Sequence, residues 1–192
     1  MDHPAQGAST NHVGLPDEVM VQAGSHLATY FNSERGRLRI AVPFLREGIA
    51  LGQPCFLMAT GRVLESYVNA LEKGGRGKIA EARRSGLFVT APAPGRTVDE
   101  ALAFFDEQIA TAVPDSDPMI VRIVGDMACV KESFPNVQEM LIFERQLGNA
   151  VKRSPSITLC QYDVREFDGP SLLEAIKAHP DVSGLGLVKF IN

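Results

Sequence analysis

Six short apolar runs alternate with stretches of helical spacing, and no other feature constrains this chain so strongly. The runs are SHLATYF (25–31), CFLMAT (55–60), LFVTA (87–91), IVRIVGDM (120–127), SITLCQYD (156–163) and GLGLVKFI (184–191). Strand-sized apolar runs bounded by turn formers read as strands buried on both faces. Their alternation with helices predicts an α/β fold in three layers, a mainly parallel, twisted sheet flanked by helices. IVRIVGDM reads as the central strand, and it ends in Gly125-Asp126. In open α/β sheets the ligand crevice lies outside such C-terminal strand ends.

The intervening segments carry their own punctuation. Asn32-Ser33 can cap a helix whose Leu38, Val42, Leu45 and Ile49 form one stripe. Pro43 inside that stripe predicts a kink or a restart. Gly61 opens a helix with Val63, Leu64, Tyr67, Val68 and Leu71 on one side, the run GGRGK breaks it, and a short basic helix follows around Ala80 to Arg84. Thr97-Val98-Asp99-Glu100 has the form of a capping box, and the helix it starts stops before Pro114-Asp115. Met127 to Pro135 reads as a loop or short turn, Val137 to Lys152 as a helix, and Ser171 to Ala178 as a helix closed by His179-Pro180. Residues 1–20 lack periodicity and read as a flexible leader, which leaves 21–192 as one domain.

At 192 residues the chain can bury a substantial core. Its net charge of −4 gives no footprint for nucleic acid. Cys55, Cys129 and Cys160 are odd in number and far apart, with no CxxC. That argues against a disulfide framework or a structural zinc site and for reduced thiols in a cytoplasmic protein. No signal peptide or membrane span is evident.

A nucleotide site is the obvious candidate for such a fold. The GxxxxGK[ST] loop, which needs backbone amides, a lysine and a hydroxyl around the phosphates, is absent. The loop after CFLMAT is Thr60-Gly61-Arg62, and Gly77-Lys78 is followed by Ile79. There is no GxSxG elbow. Cys160, beside Gln161, Tyr162 and Asp163 at a strand end, is either core packing or a reactive thiol. His26 and His179 lie near element ends, where histidine can titrate, bind a ligand or satisfy a carbonyl. Arg122, in mid-strand, needs a carboxylate or an anion to offset its desolvation, with Glu144, Asp126 and Asp163 as the available partners. Met127 would give a pocket its apolar wall.

Taken in order, SHLATYF, VPFLREGIALGQPC, VRIVGDM, Glu144, LCQYD and the His-Pro of AHPDV resemble the MEDS domain, a sensory domain of methanogen and methylotroph regulators. The resemblance runs from about Gln22 to near the C-terminus, and LCQYD with the later His-Pro is its most specific part. It implies a RecA-like or KaiC-like core, a P-loop NTPase fold without its Walker A motif, that senses small organic molecules. Matching positions are His26, Tyr30, Arg122, Gly125, Asp126, Glu144, Cys160, Gln161, Tyr162, Asp163 and His179. Two positions depart from the family pattern. Cys129 stands where a tryptophan usually follows the central strand, and Gly52-Gln53 stands where Gly-Glu is usual.

The reading is therefore a non-enzymatic sensory module without metal or cofactor. Its crevice is expected to draw on the matching residues together with Met127 and Thr60, with Arg122 and Asp126 fixing polar groups. The resemblance implies output through a histidine kinase or transcription regulator. No output segment is expected in this chain, so signalling would pass to a regulatory protein partner, with a homodimer as a further option. The alternatives are a ligand-free interaction regulator on a degenerate scaffold and a protein that binds or hydrolyses nucleotide through an unusual loop.

Overall fold

The computed structural model describes residues 12–73, 75–92, 95–112 and 119–192. Its first element is an antiparallel hairpin of β1 (His12–Leu15) and β2 (Val19–Gln22), turned by Pro16, Asp17 and Glu18. Val13, Leu15, Val19 and Val21 are buried while their neighbours face solvent. The expected leader is thus corrected over residues 12–20. A period of two on either side of a Pro-Asp turn is a hairpin signal, and its apolar face closes over the first helix. Residues 1–11 of that leader lie outside the described residues.

The main sheet contains β3 (His26–Phe31), β4 (Cys55–Met58), β5 (Phe88–Ala91), β6 (Val121–Asp126) and β7 (Ser156–Asp163). Its order is β3-β7-β6-β4-β5 and every pairing is parallel. The α/β architecture and five of the six expected strands are present. The sixth, GLGLVKFI, is not a strand. Gly186 takes φ +91, Leu187–Phe190 form a 3-10 turn, and only Ile191 bridges to Tyr30. Of this segment only Phe190 is buried, while Val188, which would share its face in a strand, is exposed, so the burial lacks the period of two that a paired strand imposes.

The helices are α1 (Glu34–Ala50), α2 (Gly61–Glu72), α3 (Arg76–Arg84), α4 (Val98–Ala112), α5 (Met127–Val130), α6 (Val137–Lys152), α7 (Gly169–Ala178) and α8 (Pro180–Leu185). The Ser33 hydroxyl caps α1 by accepting from the Gly36 amide, and Asn136 and Asp168 cap α6 and α7 in the same way. Thr97 accepts from the Glu100 amide as the capping box predicts, but Glu100 reaches back to the Arg96 amide rather than to Thr97. The stop expected at Pro114-Asp115 lies outside the described residues. α1 runs unbroken through Pro43, because Pro43 and the Arg39 carbonyl it leaves unpaired are on the exposed side.

Strand alternation assigns the layers. Arg122 and Asp126 of β6 reach residues of α1 and α2, so that pair of helices covers one face. Cys160 and Tyr162 of β7 reach Glu144 of α6, which packs with α4 and α7 on the other face. α8 and the 3-10 turn lie against β3 and cover that sheet edge. Leu27, Leu45, Leu57 and Leu71 are fully buried, each stabilising the fold by about 2 kcal/mol. Among the described residues no helix is long and apolar enough to cross a membrane.

Candidate functional site

The loop after β4 leads to α2 on one face, while that after neighbouring β6 leads toward α6 on the other. The chain therefore diverges at the C-terminal ends of β4 and β6, the geometry that opens a crevice in α/β sheets. Asp126 closes β6 here, and register places it beside Gln161 of β7, which in turn lies beside Thr29 of β3. These three buried side chains form a row across adjacent strands. Asp126 Oδ1, Gln161 Nε2 and Thr29 Oγ1 each have no hydrogen-bond partner. Leaving one buried polar group unpaired costs about 1–3 kcal/mol, so three side by side call for an explanation.

Two residues cover the row. The Tyr67 hydroxyl donates to Gln161 Oε1 at 2.7 Å and stands 3.2 Å from Asp126 Oδ2. Arg37 Nε lies 3.2 Å from the same Asp126 oxygen, and another Arg37 nitrogen lies 3.5 Å from Asp163 Oδ2. With 14% of its side chain exposed, Arg37 is the outermost of these groups. Burial raises the Asp126 carboxyl above its usual range, against the lowering pull of Arg37 and the Tyr67 hydroxyl. The Ala128 and Cys129 amides also favour its charged form, but neither closes a capping hydrogen bond. Asp163 is held below its usual range first by hydrogen bonds from Arg165, which grips it at 2.6 and 2.8 Å, and then by Arg37.

In this topology the first turn from sheet to helix is Phe31 to Ser33, not the loop after CFLMAT. It carries no glycine, whereas phosphate-binding α/β folds place their glycine-rich fingerprint there. Ser33 caps Gly36, Glu34 puts a negative charge on the first turn, and Arg37 turns its charge inward to Asp126. Each of these opposes a phosphate at the start of α1.

A second cluster is buried on the opposite face. His26 begins β3, Cys160 and Tyr162 belong to β7, Glu144 comes from the middle of α6, and His179 ends α7. His179 Nε2 stands 3.0 Å from Glu144 Oε2, and the Tyr162 hydroxyl donates to that oxygen at 2.8 Å. Cys160 Sγ lies 3.5 Å from Glu144 Oε1 and 3.4 Å from His26 Nε2. The two imidazole rings are tilted against each other, 4.1 Å between centroids. Tyr30 stacks on Tyr162, and its buried hydroxyl has no partner. Burial, then the neighbouring His179, lowers His26 to about 3. Burial by itself would raise Glu144, but His179, His26 and the Tyr162 hydroxyl outweigh it and hold the carboxyl at about 2. Burial, then Glu144, pushes the Cys160 thiol well above its usual range, so it is no ready nucleophile.

The sequence-predicted residues thus divide between two faces. Asp126, Gln161 and Asp163 lie at the C-terminal strand ends on the α1 and α2 face, while His26, Tyr30, Glu144, Cys160, Tyr162 and His179 lie behind the sheet. Thr60 precedes α2 without making a side-chain cap, and buried Met127 opens α5. Gly125 points away from the crevice row, toward the Met58 and Met127 side chains. Arg122 is a correction. It sits near the start of β6, away from the crevice, and pairs with none of Glu144, Asp126 or Asp163. Its guanidinium donates to Glu47 Oε2 at 2.8 Å, Gln53 Oε1 at 2.7 Å and the Phe44 carbonyl at 2.7 Å. Arg122 and Asp126 are four positions apart, which keeps them on one face but toward opposite ends of the strand.

Sequence reasoning missed Thr29, Arg37, Tyr67 and Arg165. Tyr67 belongs to an apolar helical stripe, and its hydroxyl is the available signal, since a buried tyrosine seeks a partner. Arg37, in the first turn of α1, and Arg165, in the turn after β7, carry no such mark.

The MEDS family, described as the methanogen/methylotroph, DcmR sensory domain, matches residues 25–180 of the chain. The transcriptional repressor DcmR of Methylorubrum extorquens (strain DSM 6343 / CIP 106787 / DM4) is 31% identical over 190 residues, covering 93% of this chain and 69% of the repressor. Both likenesses span the strands that build the crevice and the cluster behind it, and the chain belongs to the MEDS family of sensory domains.

Proposed function

We infer that this domain is a non-enzymatic sensor that takes a small organic molecule at the C-terminal ends of β3, β7 and β6 and signals through a regulatory partner. The observation that carries the reading is the row Thr29, Gln161 and Asp126. It holds three unpartnered polar atoms beneath Tyr67 and Arg37, where α/β sheets bind ligands. A ligand with one or two hydrogen-bonding groups would satisfy those atoms and displace Arg37. Since Arg37 and Tyr67 stand on α1 and α2, occupancy would bias how these helices sit, and a partner could read that bias.

The parallel sheet and its glycine-free first turn fit a RecA-like or KaiC-like scaffold without a phosphate grip, working without cofactor or catalysis. Likeness to a transcriptional repressor supports a cytoplasmic role in transcription control, exercised with a transcription regulator or histidine kinase. Thermal-shift titration with halogenated and one-carbon compounds, nucleotides and cyclic dinucleotides tests this. One organic class should stabilise the protein, and Gln161→Leu should abolish that response. Stabilisation by ATP and magnesium with measurable turnover, or no response to any class, would overturn the reading.

A further inference from the structure

His26, Glu144, Cys160 and His179 come from β3, α6, β7 and the end of α7, yet their ligand-capable atoms all lie within 4.8 Å of one another. The closest approaches are 3.0, 3.4, 3.5 and 4.0 Å. Four ligands around a tetrahedral zinc ion, with bonds of about 2.0–2.3 Å, stand roughly 3.3–3.8 Å apart. The donor set is two imidazoles, one thiol and one carboxylate, the mixture that borderline-soft divalent ions accept.

The surroundings orient these donors. His179 Nδ1 lies 2.7 Å from the Ala175 carbonyl, which places that ring's proton on Nδ1 and leaves the Nε2 lone pair to the cluster. Tyr162 steadies the carboxylate by donating to Glu144 Oε2. Charge balances as well, because a thiolate and a carboxylate neutralise a dication while both imidazoles stay neutral. Without an ion the Glu144 carboxylate relies on His179 and the Tyr162 hydroxyl, and a divalent cation would take the place of the proton on His179 Nε2. A surface cleft of about 160 Å³, lined by His26, Gly148, Lys152 and Asp181 among others, borders the cluster on its His26 side. Gly148 lets α6 pack closely on the His26 ring, since a Cβ there would stand 3.2 Å from His26 Nδ1.

We propose that His26, Glu144, Cys160 and His179 form a closed four-ligand site for a zinc-class divalent cation, tying the edge strand β3 and α7 to β7 and α6. With every position filled by protein, the ion is structural and stabilising, not catalytic. On binding, the Cys160 thiol loses its proton to solvent, and no redox change is involved.

The test uses tag-free full-length chain, stripped with chelator and titrated with Co²⁺ and then Zn²⁺. One equivalent of Co²⁺ should give the visible bands of a tetrahedral ion and a thiolate charge-transfer band, both removed by one equivalent of Zn²⁺. Zinc at a hundredfold excess over its Kd should raise Tm by roughly 5–10 °C. Cys160→Ser, with its fold checked by circular dichroism, should lose the charge-transfer band, and Glu144→Gln should bind at least tenfold more weakly. Folded wild-type protein that takes up no Co²⁺ would overturn the proposal, as would an unchanged spectrum in Cys160→Ser. Because no organic ligand enters this test, its failure leaves the crevice reading untouched, and the reverse also holds.

Discussion

Arg37 Nε lies 3.2 Å from Asp126 Oδ2, so a partly exposed guanidinium faces a fully buried carboxylate. Asp126 is fully buried, and the Tyr67 hydroxyl, 3.2 Å from the same oxygen, shares its one proton between Asp126 and Gln161. Removing one partner of a buried pair strands the other charge, at a cost of about 3–5 kcal/mol for a fully buried pair. Arg37 is partly exposed, so Arg37→Met should cost less, about 2 kcal/mol by urea denaturation at neutral pH. The pH dependence follows from the raised Asp126 pKa. A raised carboxyl disfavours the fold as it ionises, so the penalty is absent below its unfolded value, near 3.9, and grows as pH rises through the folded value. The loss in Arg37→Met should therefore shrink on acidification, and Asp126→Asn in the same chain should recover much of it.

Gln161 separates ligand binding from folding. Gln161→Leu removes one acceptor from Tyr67 and also one buried amide nitrogen that has no partner. The two effects oppose each other, and the net change in stability should be within about 1 kcal/mol. The ligand-induced thermal shift should disappear. A variant that kept the shift would place the ligand elsewhere.

Arg122 is expected to matter for stability alone. Arg122→Leu breaks three hydrogen bonds, but Glu47 is about half exposed and can return to water, so the cost should be about 1–3 kcal/mol with the ligand response intact. Gly48→Ala tests the same packing without changing charge. Its Cβ would fall 2.6 Å from Arg122 Cδ and 2.7 Å from Cys55 Sγ, a crowding expected to cost about 1–3 kcal/mol in thermal or urea unfolding.

The acid limb should report on Asp163. Its carboxyl is held low by Arg165 and Arg37, so the stability it contributes is fully present above its unfolded pKa and is lost as pH falls through the folded value. Arg165→Ala should lower Tm slightly at neutral and alkaline pH in a Tm against pH series, with a shallower acid limb and the difference from wild type closing as pH falls through the carboxyl's range. An unaltered acid limb would show that Arg37 by itself holds the carboxylate.

The alternation of apolar runs was enough to give the α/β class and the helices of Val137 to Lys152 and Glu34 to Ala50, because periods of 2 and 3.6 record burial residue by residue. The Ser33 hydroxyl marked the start of the first helix for the same local reason, whereas the caps at Asn136 and Asp168 were recognised in the structure. The HVGL and VMVQ hairpin was equally legible, with Val13, Leu15, Val19 and Val21 at a period of two, but its turn-rich surroundings suggested a leader. LCQYD, Glu144 and His179 were recognisable as site residues by resemblance, although nothing local said which of them meet. Only the parallel register of β7 with β3 and β6 decided that, by sending Gln161 and Cys160, adjacent in sequence, to opposite faces. It set one against Tyr67 and Asp126, and the other against His26 and Glu144. Arg122 was placed wrongly for the same physical reason: composition shows that a buried charge needs a partner, while the crossing of α1 over β6 determines that the partner is Glu47.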